Sequence, residues 1–332
     1  MVNKKNADKI PVSIVIPMRN SETTIIETLS SLNKQNHPIR EIYIIDNVSK
    51  DNSIKLVKDF RNKNKKIPVF ILINKHNLGV GGSYNKGVRK AKSPLIVLMH
   101  SDSTLTSSNE LGLLVSPFYR NKNVVATYST IILPRRIWNT YNFWQKVLSA
   151  RAVDKKQPGL NGKFDCILRK EFLKLGGFNV KEYGHHMNIG AEDSDLHMRL
   201  LKVGEVVKAK SKVLHLHYLG KKYSIKDLFS NRKLLARSYG RLLRMEHVNL
   251  GIPILLFFIK PVLVLLLFIP FLFPLNFALI LIYVFWYYSE MYISDANKDK
   301  RILLLPMITF ALLVCEVFWM SQSFLFVKRA NT

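Results

Sequence analysis

The chain has 332 residues, with 50 Lys+Arg against 23 Asp+Glu, for a formal net charge of +27. Two cysteines exclude a scaffold held by several disulfides. A hydrophobic share of 48%, with 19 Phe and 13 Tyr, excludes wholesale disorder. The charge suits nucleic acid, anionic lipid or a nucleoside diphosphate equally well, since each is a polyanion. Its distribution has to decide.

The first nine residues, MVNKKNADK, lack the apolar core of a signal peptide, so the large domain is expected to stay cytoplasmic. Val12–Ile16 is a β-branched run closed by Pro17 and reads as a buried strand. Ser21–Gln35 sets Ile25, Ile26, Leu29 and Leu32 at helical spacing, with Ser21 as the N-cap. Ile42–Ile45 predicts a second strand, Ser53–Asn62 a second helix and Val69–Ile73 a third strand. A glycine-containing turn, a helix near Ser83–Lys90 and the strand Leu95–Met99 follow. This βαβαβαβ order predicts an α/β fold, a mostly parallel central sheet with helices on both faces.

Functional groups of such sheets gather past the carboxyl ends of the strands. Those positions hold Pro17 and Asn20, then Asp46, Asn47, Ser49 and Asp51, then His76, Asn77 and Gly79, then His100, Ser101 and Asp102. The glycines fit neither a dinucleotide fingerprint nor a P-loop frame. Asp46 could accept the imide N–H of a pyrimidine base or simply cap the next helix. Asp102 could hold a divalent metal through a hard oxygen ligand, or form a turn with its serine neighbours.

Further along, Gly176-Gly177-Phe178-Asn179 predicts a tight turn, and Glu192, Asp193 and Asp195 crowd the first turn of a helix. Three carboxylates within four positions repel one another, and call for a cation or a catalytic use unless they merely cap a solvated helix. A carboxylate that deprotonates a hydroxyl is a general base. His215 and His217 alternate as strand residues do and share a face, where either could meet a metal or a diphosphate.

The last third changes character. The helix-period segment Ser224–Arg244 carries an apolar stripe through Leu228, Leu235, Ala236, Tyr239 and Leu242, with Lys226, Lys233, Arg237, Arg241 and Arg244 on the other side. It predicts a basic amphipathic interfacial helix within residues 222–250. Between Gly251 and Tyr288 the only formal charge is Lys260. About 20 apolar residues cross a bilayer core, so we expect about three transmembrane helices in a membrane domain, residues 251–332, near 252–270, 274–289 and 302–327. Glu316, the one charge of the last stretch, is expected to face another helix. Residues 251–332 carry a net charge of only +2, which leaves +25 for the first 250. Lysines and arginines keep to the cytoplasmic side. The expected protein is therefore a multi-pass cell-membrane protein with a cytoplasmic catalytic domain, residues 1–221. Its basic field would face anionic membrane lipids rather than nucleic acid.

Taken in order, VSIVIPMRN, IIDNVSKDNS, HNLGVGGSYNKG, LIVLMHSDS, LGGFN and GAEDSDLHMRLLKVG, followed by the histidine strand, resemble family 2 glycosyltransferases of the GT-A fold. The likeness runs from Val12 to His217. It implies a nucleotide-sugar donor (UDP-, GDP- or dTDP-linked) and Mg2+ or Mn2+. By this likeness Pro17, Asn20 and Ser101 would line the donor site and Asp46 would contact the base. Asn77, Gly79 and Asn85 would shape the nucleotide pocket. Asp102 would be the metal-binding carboxylate of the family's D-x-D, Asp193 the general base beside Glu192, and His217 or His215 the late histidine near the diphosphate and metal. His100 departs from the pattern, giving H-S-D, so weaker ion binding is expected.

A single base opposite the leaving group implies inversion, and no carboxylate pair suited to glycoside hydrolysis is implied. Transfer to a hydroxyl of a lipid-linked glycan or glycolipid needs a base. A polyprenyl-phosphate sugar synthase hardly does, so Glu192-Asp193 favours the former. Arg237, Arg241 and Trp138 are the candidates for holding the acceptor or its lipid phosphate, and the membrane helices offer a surface for a homo-oligomer. A membrane-tethered nucleic-acid-binding or scaffold protein is the alternative of a different class.

Overall fold

The computed structural model describes residues 9–153, 159–183, 190–216, 222–244, 259 and 262–326. The chain divides into two compact units, one of residues 1–134, 156–185 and 192–218, the other of 135–155, 186–191 and 219–332. The segment 135–155, which lies between two strands of the first unit, thus groups with the C-terminal residues.

In chain order the elements of the first part are β1 (Val12–Met18), α1 (Ile25–Asn33), β2 (Ile39–Asp46), α2 (Ser53–Lys63), β3 (Val69–Ile73) and α3 (Gly79–Lys90). β4 (Leu95–Met99), β5 (Ser103–Leu105), α4 (Glu110–Arg120) and β6 (Val124–Ile132) come next. The short helices α5 (Arg135–Thr140) and α6 (Phe143–Ser149) lead to β7 (Phe164–Leu168), α7 (Arg169–Lys174), α8 (Glu192–Leu201) and β8 (Glu205–His215). The eight strands form one sheet in the order β3-β2-β1-β4-β7-β6-β8-β5. β1 lies parallel between β2 and β4, and β2 is parallel to β3. β7 runs antiparallel to both β4 and β6, β6 is parallel to β8, and β5 is antiparallel to β8.

Every residue of β1 is buried, as expected of a parallel strand covered on both faces. Val12, Ile14, Ile16 and Met18 pack with Leu29, Val57 and Leu111 from α1, α2 and α4. Val15 joins Val88, Phe172 and Leu196 from α3, α7 and α8 on the opposite face. Pro17 is tolerated inside the strand because pairing with β4 ends at Val15, so its missing N–H costs no ladder bond there.

Two local expectations change. α1 starts at Ile25, and Ser21 contributes its carbonyl, which accepts the N–H groups of Thr24 and Ile25 at 3.0 and 2.9 Å, rather than a side-chain cap. The glycine run read as a turn is the first turn of α3 itself. Packing explains why the glycines persist there: a Cβ on Gly81 would lie 3.1 Å from Phe178 Cβ and 3.5 Å from Glu192 Cγ.

The second unit contains α5, α6 and α9 (Ile225–Arg244), followed by α10 (Phe273–Tyr287), α11 (Ser289–Ile293) and α12 (Leu305–Phe326). α6 begins with a reciprocal cap, in which the Asn142 side chain accepts the Gln145 N–H at 3.0 Å and Gln145 Oε1 accepts the Asn142 N–H at 2.7 Å. Two stretches among the described residues, Pro270–Tyr287 and Lys300–Phe326, are long and apolar enough to cross a membrane. They match the second and third expected spans, while most of the first, 252–270, lies outside the described residues.

α9 packs along α12 through small residues. A Cβ on Gly240 would lie 2.3 Å from the Met320 carbonyl oxygen, and Ser323 Oγ donates to the Arg237 carbonyl at 2.7 Å. The amphipathic pattern holds in part: Leu228, Ala236 and Leu242 of the expected stripe are buried and Lys226 and Lys233 are exposed, whereas Arg241 is buried and Leu235 and Tyr239 are exposed. Small residues, Ser238 and Gly240, share the buried face and allow the close contact with α12. Glu316 does face another helix, with its Oε1 3.9 Å from Nε of Arg232.

Candidate active site

The carboxyl ends of β1 to β4 and the last residue of β8 supply most of the side chains singled out from the sequence. Asn20, held at φ +50°, ties the end of β1 to the loop after β2: its N–H donates to Ser49 Oγ and its Oδ1 accepts the Lys50 N–H at 2.8 Å. Asp46 ends β2 fully buried. Its Oδ2 accepts the Ser49 N–H at 3.2 Å, and its Oδ1 is a buried acceptor with no protein donor. It does not cap the following helix, where Asp51 instead accepts from the Ser53 backbone and hydroxyl.

Asn47 is the hub of the neighbouring loop. Its Oδ1 accepts from the Leu78 N–H at 2.8 Å and from Asn74 Nδ2 at 3.2 Å, and its Nδ2 donates to Asn77 Oδ1. Asn77 Oδ1 also accepts the Gly79 N–H at 2.9 Å. Asn77 and Gly79 therefore shape the entry to α3 through the loop's own bonds. Asn85 has a structural task of its own. Its Oδ1 accepts the Phe178 N–H at 2.9 Å and its Nδ2 donates to the Phe178 carbonyl at 2.8 Å. It clasps the glycine turn.

Past β4 the chain gathers a metal-competent cluster. Ser101 is fixed on both sides: its hydroxyl pairs with Ser21 Oγ at 2.8 Å, and its carbonyl accepts from the hydroxyls of Thr24 and Thr28. The β5–β8 ladder sets Ser103 opposite His215, and the Leu216 N–H donates to the Asp102 carbonyl at 2.8 Å. Long-range pairing thereby brings His215 Nε2 to 3.2 Å from Asp102 Oδ2. His100 Nδ1 lies 3.8 Å from Asp102 Oδ1, and one ligand atom from each of the three residues falls within 4.8 Å of the others. Ligand atoms about 2.1 Å from one ion stand roughly 3 to 4.2 Å apart around it, so a donor set spread over up to 4.8 Å needs only a small inward shift of its side chains to hold a divalent cation. His100 is the member missed from sequence, where it registered only as a departure from D-x-D. His217 lies outside the described residues.

α8 brings the second carboxylate group. Ala191, at φ +75°, turns the backbone sharply into it, an uncommon conformation for a residue with a Cβ. Glu192 and Asp193 open the helix and Asp195 is buried below them. Asp195 already has its cation: Arg199 Nε and Nη2 donate to its Oδ2 at 2.8 and 2.5 Å, and the same guanidinium bonds to the carbonyls of Leu175 and Gly177. Burial raises the pKa of Asp193 and of Glu192, and the charge of Asp193 raises Glu192 further. Tyr84 stands beside the metal-competent cluster, its ring stacked 6.4 Å from His100 and 5.5 Å from Phe178.

A further carboxylate, Asp165 in β7, escaped the sequence reading. Its Oδ2 accepts the N–H groups of Asn161 and Gly162 at 2.8 and 2.6 Å, while its Oδ1 is buried without a partner. Burial pushes its pKa up to about 7 against those two hydrogen bonds, and the charge of Asp193 adds to the rise.

The acceptor candidates belong to the second unit. Trp138 is buried, with Lys146 Nζ 5.9 Å from its ring centre, and Arg241 is wholly buried. Both are packing residues, which removes them from an accessible acceptor surface. Arg237 is half-buried on α9.

Residues 13–173 match the family described as Glycosyl transferase family 2. The UDP-Glc:alpha-D-GlcNAc-diphosphoundecaprenol beta-1,3-glucosyltransferase WfgD of Escherichia coli is 30% identical over 114 residues, 34% of this chain and 43% of the relative. The GalNAc(5)-diNAcBac-PP-undecaprenol beta-1,3-glucosyltransferase of Campylobacter jejuni is 22% identical over 54% of this chain and 58% of its own length. The chain thus spans about half of these curated relatives. Among solved structures, the mannosyltransferase PcManGT from Pyrobaculum calidifontis, in complex with GDP-Man and Mn2+, covers 97% of this chain and 89% of its own, with a TM-score of 0.60 at 16% identity. That likeness extends the GT-A fold assignment across the sheet described above. Residues 13–173, just under half of the chain, thus carry the likeness to glycosyl transferase family 2.

Proposed function

We propose that this protein is an inverting glycosyltransferase that moves a sugar from a nucleotide-sugar donor to a hydroxyl of a lipid-linked glycan or glycolipid at the cytoplasmic face of the cell membrane. The observation that carries this reading is the desolvated carboxylate of Asp193 in the same unit as the His100, Asp102 and His215 cluster. In this reading Asp46 accepts from the base of the donor and Asn20, Pro17 and Ser101 line its site. Burial keeps Asp193 more basic than an ordinary aspartate, and Glu192 stands beside it at the start of α8. The Asp193 carboxylate takes the hydroxyl proton as the acceptor oxygen bonds to the anomeric carbon and the sugar–diphosphate bond breaks. Asp102, His100 and His215 would hold a divalent ion, which would supply positive charge to the leaving diphosphate. Two relatives named for undecaprenol-linked acceptors support the acceptor class.

The C-terminal unit would seat this head on the bilayer. Phe268, Phe271, Leu303, Met307, Phe318 and Phe326 are exposed apolar side chains of one unit, more than water-facing helices tolerate. Both ends of α12 are tied to charged elements. The Arg301 guanidinium lies 4.8 Å over the Phe143 ring, and Arg244 Nη1 donates to the carbonyls of Phe324 and Leu325 at 3.1 and 3.3 Å. α9, bearing Lys226, Arg232, Lys233, Arg237, Arg241 and Arg244, runs beside it. A helix with that many cations is not a lipid-facing companion for a crossing segment. We therefore read α12 as lying along the membrane surface; the multi-pass arrangement expected from sequence is the alternative that labelling separates.

The enzymatic reading is tested by incubating the full chain in detergent with Mn2+, a lipid extract and each of a panel of UDP-, GDP- and dTDP-sugars. Release of nucleoside diphosphate from one donor is expected, and no release from any donor would refute it.

A further inference from the structure

The ligand cluster has an unusual donor balance: two imidazoles and a single carboxylate, where hard cations are ordinarily held by oxygen atoms. We propose that His100 makes this a nitrogen-rich site that selects a borderline first-row transition ion over Mg2+. The inference rests on reading the cluster as the metal site of the proposed transferase and adds the class of ion to it.

Three observations carry it. First, His100 and His215 are both aimed at Asp102, Nδ1 of one at 3.8 Å from Oδ1 and Nε2 of the other at 3.2 Å from Oδ2, so the carboxylate lies between two imidazoles. Second, the three residues are held by structure rather than left on a loose loop. Thr24 and Thr28 clamp the Ser101 carbonyl, the Leu216 N–H clamps the Asp102 carbonyl, and His215 ends a strand paired to β5. His100 is packed near Tyr84, with ring centres 6.4 Å apart, and a Cβ on Gly162 would stand 3.5 Å from its Nε2. Third, an imidazole in place of a second carboxylate leaves one negative charge where two would stand. That weakens attraction for Mg2+, a hard ion that prefers oxygen and keeps its waters. Neutral imidazole nitrogen suits Mn2+, Fe2+, Co2+ and Zn2+ progressively better than it suits Mg2+.

The test uses the full chain in detergent and Mn2+ as the probe, alone and with UDP, GDP or dTDP. Electron paramagnetic resonance reports bound Mn2+, and pulsed measurements count the nitrogens coupled directly to it. Two coupled nitrogens are expected in the wild type and one in His100→Ala. A hundredfold excess of Mg2+ should displace less than half of the Mn2+, and His100→Asp should lower the Mn2+-over-Mg2+ preference at least tenfold. One or no coupled nitrogen in the wild type, no Mn2+ binding under any of these conditions, or an unchanged preference in His100→Asp would overturn the proposal. Two nitrogens in a protein that turns over no sugar nucleotide would instead leave the site standing and remove the transferase reading.

Discussion

His215 Nε2 lies 3.2 Å from Oδ2 of Asp102, although 113 positions separate them in the chain. Antiparallel pairing of β5 with β8 makes the contact, because Ser103, the residue after Asp102, is the ladder partner of His215. The sheet thereby assembles the candidate metal cluster within one unit that also contains Asp46 and Asp193.

If Asp193 is the base, Asp193→Asn should lower kcat by about 10²–10⁴-fold while leaving donor binding within a few-fold of wild type. Burial raises the pKa of this carboxyl, and the reacting form is the anion. Activity should therefore fall with decreasing pH from a higher starting point than an ordinary aspartate, near 3.9, would give. Equilibrium donor binding and a pH–rate profile check both halves; an acid limb at the ordinary aspartate position would speak against the assignment.

Asp165 makes a stability prediction with a defined sign. The folded state holds a proton up to about pH 7, whereas an unfolded aspartate releases it near 3.9. The folded chain binds more protons in that window, so stability should decline as pH rises from about 4 to about 7 and level off above. The neutral, near-isosteric Asp165→Asn should lack this decline and gain on wild type with rising pH, by at most about 4 kcal/mol. Thermal unfolding at pH 5 and pH 8 measures the crossover; parallel shifts of the two proteins would exclude it.

Gly177 should tolerate no side chain. Its φ is +73° and a Cβ there would come within 2.3 Å of Asn85 Oδ1, the atom that accepts the Phe178 N–H. Gly177→Ala combines backbone strain with a broken clasp, and should cost about 1–3 kcal/mol. Gly176→Ala, with nothing within 4 Å of its Cβ, should pay the backbone cost alone. Equal losses in the two variants would show that the clasp contributes nothing.

Membrane placement is open to direct labelling. Single cysteines at Asn297 and Phe326, both exposed, bracket α12, on a background with Cys315 replaced. If α12 lies along the surface, an impermeant maleimide should reach both from the same side of sealed vesicles. Reaction from opposite sides would establish that the helix crosses.

Much of this was legible from local pattern. Leu95–Met99 emerges with its expected ends because a strand buried on both faces is an unbroken apolar run, and Val69–Ile73, an edge strand with Phe70 and Ile73 exposed, shows the same β-rich pattern. Asp46, Asp102 and Asp193 stood out because each follows a strand or opens a helix. The third metal-competent ligand did not: His100 differs from the family pattern, and only the β5–β8 pairing shows that it shares Asp102 with His215. Asp165 sits inside the strand FDCIL, where nothing local indicates whether an aspartate faces solvent or core. On α9 the stripe through Leu228, Ala236 and Leu242 is buried as its spacing suggests, but Leu235 and Tyr239 are not, because Gly240 and Ser238 set the closer approach to α12. Arg241 is carried inward with them, and Trp138 is buried among its own unit's residues.

The most direct test of the account follows labelled sugar from its donor into lipid. Wild-type protein with Mn2+, the turned-over sugar nucleotide and membrane lipid extract should yield a lipid-linked glycan heavier by one sugar residue. Asp193→Asn should yield none. A labelled polyprenyl monophosphate sugar as the sole product, or undiminished transfer by Asp193→Asn, would contradict it.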